Sequence, residues 1–99
     1  MHAERIPGAV SARVSPNPLN PEATLAFSTA RTGFVKVRMF DLNGRLVRTL
    51  MDEAVAEAGE HRVRIESRGA HGESLASGVY FYRIETPEGI MQGRFTVLK

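Results

Sequence analysis

The chain has 99 residues, of which 42% are hydrophobic and 24% are charged, a composition typical of one ordinary globular domain rather than of a disordered or membrane-embedded chain. It contains no cysteine, which excludes disulfides, thiolate nucleophiles and cysteine-based zinc sites. Its net charge of +2 arises from arginines and glutamates interleaved along the chain, whereas nucleic-acid-binding proteins cluster their positive charge. We therefore expect no nucleic-acid partner.

The beginning of the chain carries no recognisable targeting segment. No apolar run approaches the roughly 18 residues that a membrane-spanning helix needs, so we expect no membrane insertion. Residues 1–10 lack the basic and apolar pattern of a signal peptide, which leaves either an internal protein or a piece of a longer exported one. Residues 1–13 are interpreted as a linker or an added lead-in, with a short first strand at residues 9–14.

A proline-rich segment precedes the main run of predicted strands. Residues 15–21 hold three of the five prolines, each of which fixes φ and removes a backbone donor, so the segment predicts a stiff, extended boundary. Beyond it, alternating apolar and polar residues predict strands with one buried face. The strands are expected at residues 23–28, 35–39, 46–50 and 61–65, with Ala23, Leu25, Phe27, Val35, Val37, Met39, Val63 and Ile65 facing inward.

Two local signals lie between residues 41 and 59. Asn43-Gly44 tolerates positive φ and predicts a type I′ hairpin turn, with the Asp41 side chain bonding the hairpin backbone. Residues 52–59 have helical character, with Asp52 as N-cap and Gly59 as C-cap, and predict a helix of at most two turns. A long polar loop is expected at residues 67–74.

The last thirty residues predict a central strand and a return strand. Residues 79–85 carry bulky side chains on both faces, which is typical of the middle of a sheet. Residues 90–98 predict the return strand, with Gly93 at a bulge and no proline guarding its free edge. The inward side chains are expected to be Met91, Phe95 and Val97 in the return strand, while Tyr80, Tyr82 and Ile84 share one face of the central strand.

About seven strands at regular spacing predict an all-β fold, a seven-stranded antiparallel immunoglobulin-like β-sandwich over residues 14–99. The chain shows no pattern for catalysis. Its three histidines lack metal-ligand spacing, its serines lack a Gly-x-Ser-x-Gly turn, and its aspartates form no calcium loop. We therefore expect no catalytic residue, no cofactor and no metal, and a role in binding or structure.

Five segments occur in a characteristic order: the proline segment, a hairpin containing Asn-Gly-Arg, a short Ala-Gly-Glu-His loop, Leu-Ala-Ser-Gly-Val-Tyr-Phe-Tyr-Arg, and a final Val-Leu-Lys. Together they resemble the C-terminal sorting domains of proteins exported by the type IX secretion system, and the similar immunoglobulin-like domain of flagellar hook-capping proteins. The family often has Trp-Asp-Gly where this chain has Ile65-Glu-Ser67, so Ile65 replaces a large core anchor. The segments are residues 15–21, 35–47, 58–61, 75–83 and 97–99.

The resemblance implies a non-catalytic secretion and sorting module that targets an upstream passenger protein to the cell surface or the extracellular space. Its partners would be that passenger and the outer-membrane secretion machinery. Recognition is expected in the terminal hairpin, at Gly78, Val79, Tyr80, Tyr82, Gly93, Val97, Leu98 and Lys99. The structural motif residues are Pro16, Asn17, Pro18, Asn20, Pro21, Asp41, Asn43 and Gly44.

Several of these residues also have a simpler structural interpretation. Tyr80 and Tyr82 fit core aromatics, Gly78 fits a turn requirement, and Lys99 fits a solvated terminus. Two other functions stay open. An unpaired sheet edge would favour self-association in an assembly or adhesion module. A carbohydrate-binding module would need Phe34, Phe40, Tyr80 and Tyr82 exposed together.

Overall fold

Two antiparallel sheets make up the fold. The computed structural model describes residues 9–99, and residues 1–8 of the expected lead-in lie outside the described part of the chain. One sheet has the strand order β1-β2-β5 and the other β4-β3-β6-β7, which confirms the predicted seven-stranded immunoglobulin-like β-sandwich. The strands are β1 (Ala9–Ser15), β2 (Glu22–Thr29), β3 (Gly33–Phe40), β4 (Leu46–Ala56), β5 (Gly59–Glu66), β6 (Gly78–Thr86) and β7 (Gly89–Val97).

The short first strand predicted at residues 9–14 is confirmed as β1, which pairs antiparallel with β2 and extends to Ser15. Within residues 9–99, nothing forms a helix capable of crossing a lipid bilayer.

The core lies between the two sheets and follows the period-two alternation of the strands. Alternate residues of β2, β3, β6 and β7 are buried, as the sequence pattern predicts, while Val63 of β5 is only partly buried. Each fully buried aliphatic or aromatic side chain stabilises the fold by about 1.5–3 kcal/mol. The largest fully buried side chains are Phe95, Leu19, Leu25, Met39, Ile65, Ile84, Val35, Val37 and Val97.

The helix predicted at residues 52–59 is wrong. Residues 52–56 continue β4, where Asp52 pairs with Lys36 and Glu53 pairs with Val35 of β3. Cross-strand pairing, including the opposite charges of Asp52 and Lys36, overrides the helix propensity of the alanines and glutamates. These residues look helical because β4 is an edge strand whose side chains are mostly exposed, so it lacks a clear apolar alternation.

The hairpin between β3 and β4 is confirmed, but its turn type is not. Of the described non-glycine residues none has positive φ, and Gly44 has φ of +81°, so Asn43 does not adopt the conformation that a type I′ turn requires. The Gly44 N–H donates to the Asp41 carbonyl at 3.0 Å, and the Asp41 N–H donates to the Arg45 carbonyl at 3.0 Å. This is a three-residue loop, a type I turn followed by a left-handed glycine.

β6 occupies the central position that its sequence predicts, between β3 and β7. The bulge expected at Gly93 is wrong, because β6 and β7 pair without a register shift from Gly78–Val97 to Thr86–Gly89. Gly93 has a different role. A Cβ added there would lie 2.5 Å from the Tyr82 hydroxyl oxygen and 2.6 Å from the ring carbon that carries it, so the glycine makes room for the Tyr82 ring.

Candidate functional site

Four of the five sequence segments that resemble the sorting family meet at one end of the sandwich, whereas residues 58–61 lie at the other end. β1, β3, β5 and β7 end there, and β2, β4 and β6 begin there, so the connections between them lie side by side. We call this region the motif end and define it as residues 16–21, 41–45, 67–77 and 98–99. The opposite end carries residues 30–32, 57–58 and 87–88 together with the beginning of β1.

At the motif end the proline segment is bound to the edge of β7. The Leu19 N–H donates to the Thr96 carbonyl at 2.7 Å, and the Leu98 N–H donates to the Leu19 carbonyl at 3.0 Å. The Asn17 side-chain oxygen accepts from the Thr96 N–H at 3.0 Å. Leu19 is fully buried and pairs in parallel with Val97. The segment therefore acts as a short extra strand, with one apolar anchor in the core.

This binding corrects, for the last part of β7 alone, the expectation that its edge is unguarded. The proline segment bonds the N–H and carbonyl of Thr96 and the N–H of Leu98, so this part of the edge is covered. Prolines 16 and 18 do not prevent this pairing, because Leu19 supplies the N–H and Asn17 the side-chain oxygen. The sequence pattern missed Leu19, although it is the one large apolar residue in the segment.

The last residue is held by the loop before β6. The Lys99 N–H donates to the Ser77 hydroxyl at 2.9 Å, and the Lys99 ammonium contacts the Ser74 hydroxyl. The same loop is joined to the proline segment, since the Ser67 N–H donates to the Pro21 carbonyl at 3.1 Å. Three segments far apart in sequence thus form one hydrogen-bonded surface.

The buried Tyr80 side chain contacts this surface from the core side. Its hydroxyl donates to the Ala76 carbonyl at 2.8 Å, and its ring stacks on Phe95 with centroids 6.2 Å apart. Burial raises the pKa of the Tyr80 phenol, and the nearby Asp41 carboxylate raises this pKa further because it disfavours a second negative charge. Tyr80 therefore stays a neutral hydrogen-bond donor.

The β3–β4 hairpin completes the motif end. As predicted, the Asp41 side chain bonds the hairpin backbone, and its Oδ1 accepts from the N–H groups of Asn43 at 2.9 Å and Arg45 at 3.0 Å. A groove of about 280 Å³ separates this hairpin from the loop before β6. Its lining residues include Asp41, Arg45, His71, Glu73 and Tyr80.

The expected recognition residues divide into buried and exposed groups. Tyr80, Tyr82 and Val97 are buried in the core, which agrees with the interpretation of the tyrosines as core aromatics. Leu98 is 50% exposed, and Lys99 is also exposed. Gly78 has φ of +154° where the loop enters β6, and Val79 lies half-buried on the outer face of the sheet. Of the structural motif residues, Pro16, Asn17, Pro18, Asn20 and Pro21 are exposed.

The aromatic platform that the carbohydrate-binding alternative requires does not form from Phe34, Phe40, Tyr80 and Tyr82. Tyr80 and Tyr82 point into the core, whereas Phe34 and Phe40 lie on the outer face of β3. The residues that the structure describes also contain no cluster of three or more histidine or acidic side chains that could hold a metal ion.

Comparison with known proteins identifies the family of the chain. A model of the family described as "Secretion system C-terminal sorting domain" matches residues 13–97. No curated protein matches. Among solved structures, PorZ, a surface component of the type IX secretion system of Porphyromonas gingivalis, is 27% identical with a TM-score of 0.58. That match covers 90% of this chain and 12% of PorZ.

Two further structures share the fold. Dimeric latent PorU from Porphyromonas gingivalis is 24% identical with a TM-score of 0.71, over 96% of this chain and 10% of PorU. FlgD from Xanthomonas campestris, a hook-capping protein, is 17% identical with a TM-score of 0.54, over 92% of this chain and 64% of FlgD. This chain thus spans only about a tenth of the PorZ and PorU chains. Because the family match covers nearly its whole length, the chain belongs to the secretion system C-terminal sorting domains.

Proposed function

We propose that this domain is a non-catalytic sorting module that directs an upstream passenger protein through type IX secretion to the cell surface or the extracellular space. The observation that carries the proposal is the family match over residues 13–97. The likeness to PorZ, a surface component of that secretion system, supports it. A sorting role of this kind requires an exposed surface that the secretion machinery can bind, and it needs no catalytic side chain.

We place the recognition surface at the motif end. Four of the five segments that resemble the family reach this end. Hydrogen bonds join three parts of the chain there into one surface: the proline segment, the end of β7 and the loop before β6. On this surface Leu98 and Lys99 are exposed, together with the prolines of residues 16–21. We assign contact with the secretion machinery to these exposed residues.

The buried members of the expected site have a supporting role in this proposal. Tyr80 bonds the Ala76 carbonyl, Tyr82 packs over Gly93, and Val97 lies in the core beside its bridge partner Leu19. Their substitution would disturb recognition indirectly, by loosening the loop before β6 or the end of β7. Gly78 sets the backbone direction at the start of β6.

The direction of the chain fits a passenger attached upstream. β1 starts at the end opposite the motif end, since Ala9 pairs with Thr29. A β-strand rises about 3.3 Å per residue, so the nine residues of β6 separate the two ends by roughly 30 Å. A passenger preceding β1 would thus leave the motif end accessible to the outer-membrane machinery.

The test is a fusion of a periplasmic reporter to the amino terminus of the full 99-residue chain, expressed in a bacterium that has the type IX system. We expect the reporter at the cell surface or in the medium, measured by protease accessibility and fractionation. The matched control is the same fusion in an isogenic strain without a functional type IX system, where the reporter should stay in the periplasm. Periplasmic retention in both strains would contradict the proposal.

A further inference from the structure

β7 is the more regular of the two edge strands in the four-stranded sheet. It pairs with β6 over nine residues without a register shift. The other edge strand, β4, pairs with β3 through three register shifts. Bulges twist an edge and block strand addition, whereas a regular edge remains a template for another strand. Any strand addition to this sheet is therefore favoured at β7.

The outward backbone groups of β7 belong to its even-numbered residues. In an antiparallel ladder the N–H and C=O of one residue point to the same side, and the sides alternate along the strand. Thr96 and Leu98 direct these groups away from β6, because both bond Leu19. By the same alternation Ile90, Gln92 and Arg94 also direct theirs outward. Among residues 9–99, Leu19 is the backbone partner at this edge and reaches only its last part.

The side chains of the uncovered part are also exposed. Ile90 is 47% exposed, although it is a large apolar residue in a sheet, and Gln92 and Arg94 are exposed beside it. In the described part of the chain Arg94 forms no ion pair, while the neighbouring Arg83 lies 3.8 Å from the Glu85 carboxylate. An exposed apolar residue next to three outward donors and acceptors is typical of an interface.

We propose that this part of β7 pairs antiparallel with the same part of a second copy of the chain, about a two-fold axis at Gln92. The position of the axis follows from which outward backbone N–H and C=O groups find a partner. With Gln92 on the axis, Ile90, Gln92 and Arg94 of each copy all donate and accept a backbone bond. An axis at Met91 leaves Arg94 without a strand partner. An axis at Gly93 places Ile90 opposite Thr96 of the second copy, whose N–H and carbonyl already bond the proline segment.

The outer-face side chains suit this register. Gln92 faces its own copy and can exchange amide hydrogen bonds, and Ile90 faces Arg94 of the second copy. No like charges stand opposite each other, which would be destabilising. Glu85 of β6 lies opposite Ile90 of β7. In the proposed register Arg94 of the second copy lies on the other side of Ile90, so the three side chains form one row across the joined sheet. Opposite charges thus flank the apolar residue that the pairing covers.

Dimerisation through β7 is separate from the sorting role and does not depend on it. The pairing joins two four-stranded sheets into one continuous antiparallel sheet, as isologous interfaces do. The contact ends at Arg94, before the part of β7 that the proline segment covers. The motif end of each copy stays free and points in the opposite direction, so dimerisation and recognition can be tested separately.

Sedimentation equilibrium of the 99-residue protein tests the association. Because the interface is small, we expect a concentration-dependent rise from 10.9 kDa toward twice that mass. Gln92→Pro removes an outward N–H at a position where an edge strand tolerates proline, so this variant should stay monomeric with unchanged thermal unfolding. Gln92→Ala keeps the N–H and should dimerise as the wild type does. A wild-type monomer at every concentration, or a Gln92→Pro variant that dimerises normally, would overturn the proposal.

Cysteine cross-linking tests the register, since the chain has no cysteine of its own. Residues opposite each other lie about 5.5 Å apart between Cα atoms, within the range of a disulfide. Gln92→Cys should therefore oxidise to a covalent dimer. Ile90→Cys should not link to itself, because the two copies of residue 90 would lie about 14 Å apart. An equimolar mixture of Ile90→Cys and Arg94→Cys should yield the mixed dimer. Self-linking of Ile90→Cys, or a mixture no more cross-linked than either variant alone, would overturn the two-fold axis at Gln92.

Discussion

Replacing Leu19 with alanine should destabilise the domain strongly, because this side chain anchors the proline segment. Leu19 has an exposed fraction of 0%, and its backbone bonds Thr96 and Leu98 of the β7 edge. The substitution leaves those backbone bonds in place and removes only the side chain. The expected loss is that of a buried leucine truncated to alanine, about 2–5 kcal/mol in the free energy of unfolding. A domain of this size has only about 5–15 kcal/mol in total.

Urea unfolding followed by circular dichroism measures this loss. With an m-value of about 1–3 kcal/mol/M, a loss of about 3 kcal/mol lowers the midpoint by roughly 1–3 M. The matched control is Leu98→Ala, the same substitution next to the same backbone bonds, at a residue that is 50% exposed. Its expected effect is within about 0.5 kcal/mol. Equal midpoints for the two variants would refute the assignment of Leu19 as a core anchor.

Substitutions at three further positions test other parts of the structure. Gly93→Ala should cost about 1–3 kcal/mol by urea unfolding, because its Cβ would overlap the Tyr82 ring; an unchanged midpoint would contradict the close approach. Burial raises the pKa of Tyr82 above 10.0, so the unfolded chain loses this proton first and stability should fall as the pH rises above 10. Tyr82→Phe should reduce that fall, and an identical pH profile would argue against it. Asp41→Ala should cost about 1–2 kcal/mol because two hairpin N–H groups lose their acceptor, whereas Asp41→Asn, which keeps a side-chain oxygen, should cost less.

The sequence predicts the strands well where one face is buried. Alternation in β3 and β7 directly reports which side chains are buried, and Val35, Val37 and Phe95 lie in the core as expected. It fails for the second half of β4, where the sheet edge leaves few side chains to bury and the local composition favours a helix. In the hairpin, Asn43-Gly44 predicts the turn but not its type, because the loop contains Leu42 as a third residue and Asp41 fixes the backbone.

The motif end could be predicted only in part. The family resemblance identifies the segments, but their meeting depends on contacts between residues far apart in sequence. The bond from the Thr96 N–H to Asn17 spans 79 positions, and no local pattern encodes it. The bond from the Lys99 N–H to Ser77 could not be predicted from the sequence either, because a serine before a glycine also fits an ordinary turn residue. Leu19 was missed although a signal was present, since an isolated large apolar residue among prolines indicates an anchor.

The central claim is that the motif end carries the sorting signal, and surface delivery of a fused reporter by two matched variants tests it most directly. Leu98→Asp places a charge on an exposed residue of the motif end, and Val55→Asp places the same charge on a 71% exposed residue near the opposite end. Thermal unfolding should match the wild type for both fusions. We predict that the Val55→Asp fusion reaches the cell surface while the Leu98→Asp fusion stays in the periplasm. Equal surface delivery of the two fusions would contradict the account.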